Sequence, residues 1–488
     1  MYDIIIIGAG VIGTSIAREL SRYDLDVLVL EKENDVSQGA SKANSGIVHG
    51  GYDAKHGTNK GHFSRKGNRM FEKLNEELNF GYEECGSLVL AFDDSEVEAL
   101  ETLKENGIKN GIEDLEIIDQ EEILKMEPHV NTEVKKALYC KTAGITSPYE
   151  LTIALAENAI HNGVTLNLKE EVISINKENE IFTIKTNDWG HNRENTYESR
   201  YIINCAGTYS DKIANMIGLD DFYIIPRRGE YVVLNKNQGY LANNVLFQAP
   251  SKKGKGILVT RTVHGNLMLG PNAQEIQDPM AVGTNLENLK YIVNTARKTV
   301  DKFDLKYTLR SFSGVRATSN IHDFIIEEST IERFINVAGI ESPGLTSSPA
   351  IAKYVVEMVE KIEGKLAKKK NFDPTRKAII VKKDEDFDGI IGHDNPDKNI
   401  ICRCESVTEA EIIDAIHRGI SIDSLDAVKR RTRAGMGPCQ GHFCGPKVKE
   451  IIAREEDLEP SEVTLRGKGS SSLPPREKRN FWMNLSNR

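Results

Sequence analysis

The start of the chain has the hydrophobic pattern of a strand, a glycine turn, a helix and a second strand. Residues 4–7 form an unbroken apolar run, and residues 27–30 form another. Unbroken runs of this length are typical of strands that are buried on both faces of a parallel sheet. Between the runs, Ile12, Ile16 and Leu20 recur at the spacing of one helix face. The pattern therefore predicts a βαβ unit.

Two later segments, 201–218 and 334–362, repeat the strand-to-helix pattern, and each predicts another strand of the same parallel sheet. The stretches between them alternate apolar and polar residues, as antiparallel strands do. In one of these stretches His264-Gly265-Asn266 has the composition of a hairpin turn. We therefore expect a second, mostly antiparallel domain inserted into the first.

The first glycine turn has the spacing of a dinucleotide-binding motif. Gly8, Gly10 and Gly13 form G-x-G-x-x-G directly after a strand and at the start of a helix, where a pyrophosphate can approach the helix N-terminus. Glu31 ends the second strand, where a carboxylate can accept hydrogen bonds from ribose hydroxyls. The alternative is an ordinary tight turn of an α/β protein. Because only one complete glycine motif is present, we expect FAD as the sole dinucleotide.

Two other segments suit a flavin. The loop of residues 40–51 is rich in Ser, Asn and Gly, and we expect it near the flavin ring. Residues 339–349 place glycines and a Thr/Ser N-cap before a helix, whose dipole can stabilise negative charge on a reduced flavin. An ordinary helix cap is the alternative for this second segment.

Composition narrows the class of protein. The chain has 488 residues, of which 39% are hydrophobic and 28% charged, as in globular proteins of more than one domain. A net charge of -10 argues against nucleic-acid binding. The longest apolar runs are far shorter than the roughly 20 residues of a membrane-spanning helix, so we expect no transmembrane segment and a cytoplasmic location.

Four of the seven cysteines fall close together near the C-terminus, as C-x-C followed by C-x4-C. They are Cys402, Cys404, Cys439 and Cys444. Four thiolates suit either a 2Fe-2S cluster or a tetrahedral zinc ion, although zinc sites usually contain C-x2-C pairs. A basic run at residues 429–433 precedes the second pair. One expectation is that these residues form a solvated helix face. The alternative is that their positive charge offsets the negative charge of a cluster or attracts an acidic partner.

Several motifs together resemble one superfamily of flavoproteins. DIIIIGAGVIG, NSGIVHGG, INCAGTYSD, GNLMLGPNA and GIESPGLTSSP, within residues 1 to about 375, are similar to those of the D-amino-acid oxidase and glycerol-3-phosphate dehydrogenase superfamily. NSGIVHGG and SGVRA most resemble the bacterial glycerol-3-phosphate oxidases and dehydrogenases, with L-2-hydroxyglutarate oxidases close behind. RRTRAGMGPCQGHFCG resembles the bacterioferritin-associated-ferredoxin-like domain, which implies that the four cysteines bind a 2Fe-2S cluster.

The resemblance implies roles for individual residues. His49 would lie over the flavin and accept the proton of a substrate hydroxyl, as a neutral imidazole can. Arg316 and Lys255 would bind the anionic end of the substrate, a role for which Arg310, Arg227 and Arg228 compete. The remaining cofactor-binding residues implied are Asn44, Ser45, Gly207, Gly339, Gly344, Leu345 and Thr346.

The combined reading is an α/β fold. We expect a Rossmann-like FAD-binding domain at residues 1–364, with an inserted antiparallel β substrate domain formed by regions about 80–145 and 225–320. A linker at residues 365–398 would lead to a small helical [2Fe-2S] domain at residues 399–456, and residues 457–488 would form an extended tail.

The function implied is oxidation of sn-glycerol 3-phosphate to dihydroxyacetone phosphate by hydride transfer to the flavin. Because an iron–sulfur cluster passes electrons singly, we expect the chain to export electrons to a partner protein. Any association with a membrane would occur through that partner. One alternative is a dehydrogenase of L-2-hydroxyglutarate or another 2-hydroxy or amino acid, since a single arginine can bind either a phosphate or a carboxylate. The other is a non-catalytic electron-transfer subunit, which would not need a base beside an anion clamp.

Overall fold

The computed structural model describes residues 1–250 and 256–470, and these residues separate into two units. The first unit comprises Met1–Leu30 and Val36–Arg376, so it extends beyond the boundary that we expected at residue 364. The second comprises Glu31–Asp35 and the described residues from Lys377 onward. In the described part of the chain, no helix is both long enough and apolar enough to cross a bilayer.

The described strands and helices follow in chain order. The strands are β1 (Tyr2–Ile7), β2 (Val27–Leu30), β3 (Ile47–Val48), β4 (Tyr82–Glu83), β5 (Ser87–Ala91), β6 (Leu115–Asp119), β7 (Lys136–Cys140), β8 (Gly144–Thr146), β9 (Thr165–Asn167), β10 (Glu170–Glu178), β11 (Ile181–Asp188), β12 (Arg193–Asn204), β13 (Ile224–Leu234), β14 (Val245–Gln248), β15 (Leu258–Arg261), β16 (Leu267–Gly270), β17 (Gln274–Glu275), β18 (Thr308–Ser319), β19 (Ile325–Glu328), β20 (Phe334–Ala338), β21 (Ile400–Cys402) and β22 (Val407–Thr408). The helices are α1 (Val11–Leu20), α2 (Asn59–Asn68), α3 (Phe71–Leu78), α4 (Asp94–Lys109), α5 (Gln120–Met126), α6 (Pro148–His161), α7 (Ser210–Asn215), α8 (Leu286–Ala296), α9 (Gly344–Glu363), α10 (Glu409–Ile416), α11 (Leu425–Thr432) and α12 (Gly445–Glu455).

The predicted parallel strands meet in one eight-stranded sheet. Its main order is β10-β11-β12-β1-β2-β9, and β20 joins the path at β12. β1 pairs in parallel with β2 and β12, and β12 pairs in parallel with β20. All four residues of β2 are buried, and α1 lies against α6 and α9. The apolar runs therefore form a strand core covered by helices, as their lack of alternation predicts.

The second sheet of this unit has nine strands, and its pairs are antiparallel except β14 with β5. It draws its strands from residues 87–140 and 224–319, on either side of strands of the first sheet. β15 and β16 form a hairpin in which Gly265 adopts a positive φ of 86°. The predicted antiparallel sheet and its turn are thus both present. The longest pairing, β13 with β18, carries residues that matter for the site.

In the second unit, α10, α11 and α12 surround a small core that includes Ile412, Val428 and Ile452. Val463 is fully buried in the same core, and Thr464 bridges to Ser424. The first part of the expected tail is therefore folded onto this core, because Val463 is buried in it and Leu458 packs against it. The rest of the expected tail lies outside the described residues.

Candidate functional site

The glycine turn after β1 is closely packed. Gly8 has a φ of 104°, and a Cβ there would lie 2.6 Å from the carbonyl oxygen of Cys205. A Cβ on Gly13 would lie 2.0 Å from the carbonyl oxygen of Gly8. Gly10, the N-cap residue of α1, places no side chain over the helix end. A glycine at the N-terminus of α1 suits a pyrophosphate, which binds backbone N–H groups at such positions.

Glu31 and Ser41 each accept a backbone hydrogen bond. Glu31 follows β2 directly and is 8% exposed, and one carboxylate oxygen accepts the Glu33 N–H at 2.9 Å. Ser41 accepts the Val11 N–H at 2.8 Å through its hydroxyl oxygen. The sequence argument included Ser41 only as part of a polar loop. Ser41 and Val11 are 30 positions apart in the chain, so no local sequence pattern could identify this contact.

The loop of residues 40–51 lies against β18. A Cβ on Gly314 would lie 1.8 Å from the carbonyl oxygen of Ala43, so the two backbones are nearly in contact. The Asn44 amide is used inside the loop, where it accepts the Gly46 N–H at 2.8 Å and donates to the Ala40 carbonyl at 2.9 Å. Ser45 hydrogen-bonds Tyr231 of β13. Asn44 thus shapes the loop, and Ser45 ties it to the second sheet.

His49 is held at both its backbone and its ring. Its N–H donates to Thr346 Oγ1 at 2.9 Å, and its carbonyl accepts from Asn68 Nδ2 at 3.1 Å. The imidazole lies 6.0 Å from the Phe247 ring centroid in a stacked orientation, and its Nε2 is 3.4 Å from Ser342 Oγ. Ser342 was not selected from the sequence, although it belongs to the motif GIESPGLTSSP.

The helix after that motif begins earlier than expected. α9 starts at Gly344 with Pro343 as its N-cap residue and no side-chain cap. The prediction of a Thr/Ser N-cap was therefore wrong. Thr346 is buried in the first turn, where it donates to the Ile47 carbonyl at 3.3 Å and accepts from His49.

The other predicted cofactor residues lie at turns around these elements. Gly207 begins a 3-10 turn just after β12 and has a φ of 56°. Gly339 follows β20 with a φ of 66°, and a Cβ there would lie 2.8 Å from Ser319 Cβ. Gly344 is buried, and Leu345 beside it is half-buried.

Arg316 projects from β18 on the face that carries Tyr231. It donates to the Asn272 carbonyl at 3.4 Å and hydrogen-bonds the Tyr231 hydroxyl. Burial raises the pKa of Tyr231, although Arg316 and Ser45 act in the opposite direction. Lys255, the other predicted anion ligand, lies outside the described residues.

Of the three competing arginines, only Arg227 is paired with Arg316 in the sheet. The register of β13 and β18 places Arg227 directly opposite Arg316. Arg228 instead lies 3.4 Å from the carboxylate of buried Glu230 and donates to the Ala281 carbonyl. Arg310 is exposed.

An ion pair borders the same face. Lys60 Nζ is 2.7 Å from Glu341, whose other oxygen accepts from Thr318 Oγ1 at 2.8 Å. Burial alone would raise the pKa of Glu341, but Lys60, Thr318 and Arg227 together hold it below its usual value. Glu341 is thus ionised and already bonded at both oxygens.

The four C-terminal cysteines lie close together in two pairs. Cys404 Sγ is 3.9 Å from Cys439 Sγ, and Cys402 hydrogen-bonds Cys444. Two thiolates on one tetrahedral metal with bonds of ~2.3 Å would be about 3.8 Å apart. Within the described ranges, no three or more His, Cys, Asp or Glu side chains converge on a single ion position. Two pairs of thiolates fit a two-iron cluster, in which four cysteines hold two metals.

Two glycines in the turn before Cys439 allow its backbone to pack closely against Cys402 and Cys404. A Cβ on Gly437 would lie 2.2 Å from Cys404 Cβ, and the Gly435 N–H donates to Cys402 Sγ at 3.5 Å. The hydrogen bond from Cys444, followed by that from Gly435, lowers the pKa of Cys402.

The basic run before Cys439 is not a solvated face. Within the second unit, both Arg430 and Arg431 bond to the fully buried carboxylate of Asp35, and Arg431 does so through two donors at 2.8 Å. Arg433 pairs with Glu405 at 2.8 Å. The expectation of a solvated helix face was therefore wrong for these three residues, because they are buried and paired with carboxylates.

Comparison with protein families identifies both parts of the chain. The model for the FAD dependent oxidoreductase family matches residues 3–358. The model for the BFD-like [2Fe-2S] binding domain matches residues 400–454, which include all four cysteines.

Individual relatives agree with these assignments. A glycerol 3-phosphate dehydrogenase of Caloramator mitchellensis is 50% identical over 477 residues, covering 97% of this chain and 98% of its own. A glycerol 3-phosphate oxidase of Mycoplasma genitalium is 34% identical over 76% of this chain and 97% of its own. The solved structure of dithionite-reduced L-alpha-glycerophosphate oxidase from Mycoplasma pneumoniae, with FAD bound, has a TM-score of 0.72 and 33% identity. It covers 77% of this chain and 98% of its own.

Proposed function

The chain belongs to the FAD dependent oxidoreductase family and carries a BFD-like [2Fe-2S] binding domain, and from this premise we propose that it oxidises sn-glycerol 3-phosphate to dihydroxyacetone phosphate. The strongest support is the 50% identity, over nearly the full length of both chains, to a glycerol 3-phosphate dehydrogenase. That relative aligns over the cysteine-bearing segment as well as the oxidoreductase domain. A cytoplasmic location remains part of this proposal.

The residues proposed to hold FAD are those of the glycine turn and the two loops that follow the strand ends. Gly8, Gly10 and Gly13 admit the pyrophosphate to the N-terminus of α1, and Glu31 binds the adenosine ribose. The loop containing Ser45 and the start of α9 border the flavin ring. FAD supplies a hydride acceptor at this site, and a [2Fe-2S] cluster bound by the four cysteines passes electrons on singly.

His49 is proposed as the base that takes the proton from the substrate hydroxyl. Its contacts with Thr346 and Asn68 fix the backbone, and Phe247 and Ser342 restrict the ring. A neutral imidazole nitrogen accepts the proton, and the electron pair of the broken O–H bond forms the new carbonyl as hydride leaves the adjacent carbon. A base held this firmly needs little reorganisation before reaction.

Arg316 is proposed to bind the anionic end of the substrate. Its hydrogen bond to Tyr231, which is tied in turn to Ser45, holds the guanidinium on the face of β18. A fixed guanidinium can make two parallel hydrogen bonds to a phosphate or carboxylate. Lys255 is proposed as a second cationic ligand.

The electrons are proposed to leave through the cluster to a partner protein. Cys404 is exposed, and the Phe443 side chain beside Cys444 is 80% exposed, so part of the cysteine-bearing segment is accessible to another molecule. This accessibility supports a dehydrogenase that exports electrons.

The test is anaerobic reduction of the purified holoprotein by three compounds. We expect glycerol 3-phosphate to bleach the flavin absorbance rapidly, L-2-hydroxyglutarate to do so weakly, and glycerol, which lacks the anionic group, not at all. Faster bleaching by L-2-hydroxyglutarate would replace the proposal with a 2-hydroxy acid dehydrogenase, which a single arginine clamp also suits. Bleaching by neither anion would leave an electron-transfer subunit.

A further inference from the structure

The five residues that directly follow β2 belong to the second unit. The first unit stops at Leu30 and resumes at Val36, and residues 31–35 are grouped with the described residues from Lys377 onward. This 31–35 segment carries Glu31, the carboxylate proposed for the adenosine ribose. The residue assigned to FAD therefore lies in the same unit as the four cysteines.

Asp35 fixes one end of the 31–35 segment. Its side chain is fully buried, and its two oxygens accept from the two terminal nitrogens of Arg431 at 2.8 Å each. Arg430 donates to the same carboxylate at 2.5 Å and to Asp426 at 3.1 Å. Two arginines are thus balanced by two aspartates. A bidentate pair of this kind fixes orientation as well as position.

Asn34 adds a second anchor. It is 2% exposed, and its Nδ2 donates to Asp423 at 2.6 Å and to Ser424 Oγ at 3.3 Å. A Cβ on Gly467 would lie 2.4 Å from Asn34 Oδ1, so the backbone at Gly467 packs directly on this side chain. Two consecutive side chains are held by α11 and the residues just before it, and the backbone between them therefore has little freedom.

The anchored backbone reaches Glu31 through one hydrogen bond. Glu33, the neighbour of Asn34, donates its N–H to the Glu31 carboxylate at 2.9 Å, and Glu31 is 8% exposed. A carboxylate has about four lone-pair positions, so it can accept from ribose hydroxyls and keep this bond. The orientation of the carboxylate therefore depends on where the two anchors hold the segment.

We propose that Asn34 and Asp35 are positioning residues for FAD, which hold the Glu31 carboxylate in its binding orientation through contacts within the second unit. This inference rests on the proposed function, since it takes Glu31 as the ribose ligand. A carboxylate that is already ordered costs less conformational entropy on binding than one that the ligand must fix. FAD affinity should then depend on the fold of the cluster-binding domain, and by linkage bound FAD should stabilise that domain.

The test measures the dissociation constant of FAD for the full-length protein, by titration of flavin fluorescence, in two variants. Asn34→Ala removes the two hydrogen bonds that this side chain donates. Arg431→Lys keeps the positive charge but cannot make two parallel bonds to Asp35. We expect each variant to weaken FAD binding by about 2- to 30-fold, the range of couplings carried by packed side-chain networks. Iron content, measured alongside, should stay at about two per chain.

The same substitutions in a Glu31→Ala background separate positioning from a general defect. Without the carboxylate, neither anchor has anything to position, so each should change FAD affinity by less than about twofold there. Asp426→Asn is the matched control, because it removes a carboxylate from Arg430 but leaves the contacts of the 31–35 segment in place. It should also leave FAD affinity within about twofold of wild type.

Unchanged FAD affinity in both variants, an equal loss in the Glu31→Ala background, or an equal loss in Asp426→Asn would overturn the positioning role. If FAD binding follows the expected pattern but glycerol 3-phosphate does not bleach the flavin, the positioning role stands and the proposed substrate is wrong.

Discussion

The contact between the loop of residues 40–51 and β18 leads to a specific prediction for Gly314→Ala. The ideal Cβ would lie 1.8 Å from the Ala43 carbonyl oxygen, whereas ordinary contact begins at 3.4 Å. The loop must therefore move away from β18 by about 1.6 Å, and overpacking of this kind costs about 1–3 kcal/mol of stability. Gly314 is not among the glycines with positive φ, so the effect is steric rather than conformational.

The displaced loop carries His49 and Ser45, so the substitution should also slow the reaction. Misplacement of a reacting group by ~1 Å can cost about 100-fold in rate. We therefore expect flavin reduction by glycerol 3-phosphate to slow by about 100-fold in FAD-saturated Gly314→Ala, measured by anaerobic stopped-flow absorbance. Gly283→Ala is the matched control, because a Cβ there meets nothing within 4 Å. A wild-type reduction rate in Gly314→Ala would refute the argument that this backbone contact positions the base.

Four other substitutions test separate parts of the structure. His49→Asn should slow flavin reduction by about 100- to 10,000-fold, and the pH–rate profile should lose its histidine ionisation; a retained ionisation would exclude His49 as the base. Cys439→Ser should remove iron and acid-labile sulfide, which iron analysis checks. Reduction of the flavin by substrate should survive, which anaerobic stopped-flow absorbance checks. Asp35→Asn should lower unfolding free energy by about 3–5 kcal/mol in denaturant titrations, because it removes the buried carboxylate to which both Arg430 and Arg431 are bonded. Lys60→Met should destabilise the protein more at pH 7 than at pH 4. With its pKa below the usual value, Glu341 contributes stability above its unfolded pKa and loses it as pH falls, so the thermal midpoints of variant and wild type should converge in acid.

Local patterns in the sequence predicted much of the fold. The unbroken apolar runs identified β1 and β2, because a strand buried on both faces has no alternation. The glycine spacing identified the turn at Gly8, since a Cβ there cannot fit against a neighbouring backbone. Such features depend on residues close together in the chain.

The contacts that complete the site depend instead on long-range pairing. Ser342 lies beside His49 only because the end of β20 meets the loop after β3, and Arg227 lies opposite Arg316 only through the register of two distant strands. The misjudged basic run has the same cause. Arg431 looks like a surface residue in sequence, but its carboxylate partner, Asp35, is 396 positions away.

The central claim is that electrons from glycerol 3-phosphate pass through the flavin to the four-cysteine cluster, and an anaerobic titration of the holoprotein with this substrate tests it most directly. Each substrate molecule gives two electrons, and FAD and one cluster together take up three. We predict that the flavin and cluster absorbance both bleach, with an end point of about 1.5 equivalents per chain, and that Cys439→Ser ends at about 1.0. An end point of about 1.0 in wild type, with the cluster still oxidised, would contradict the account.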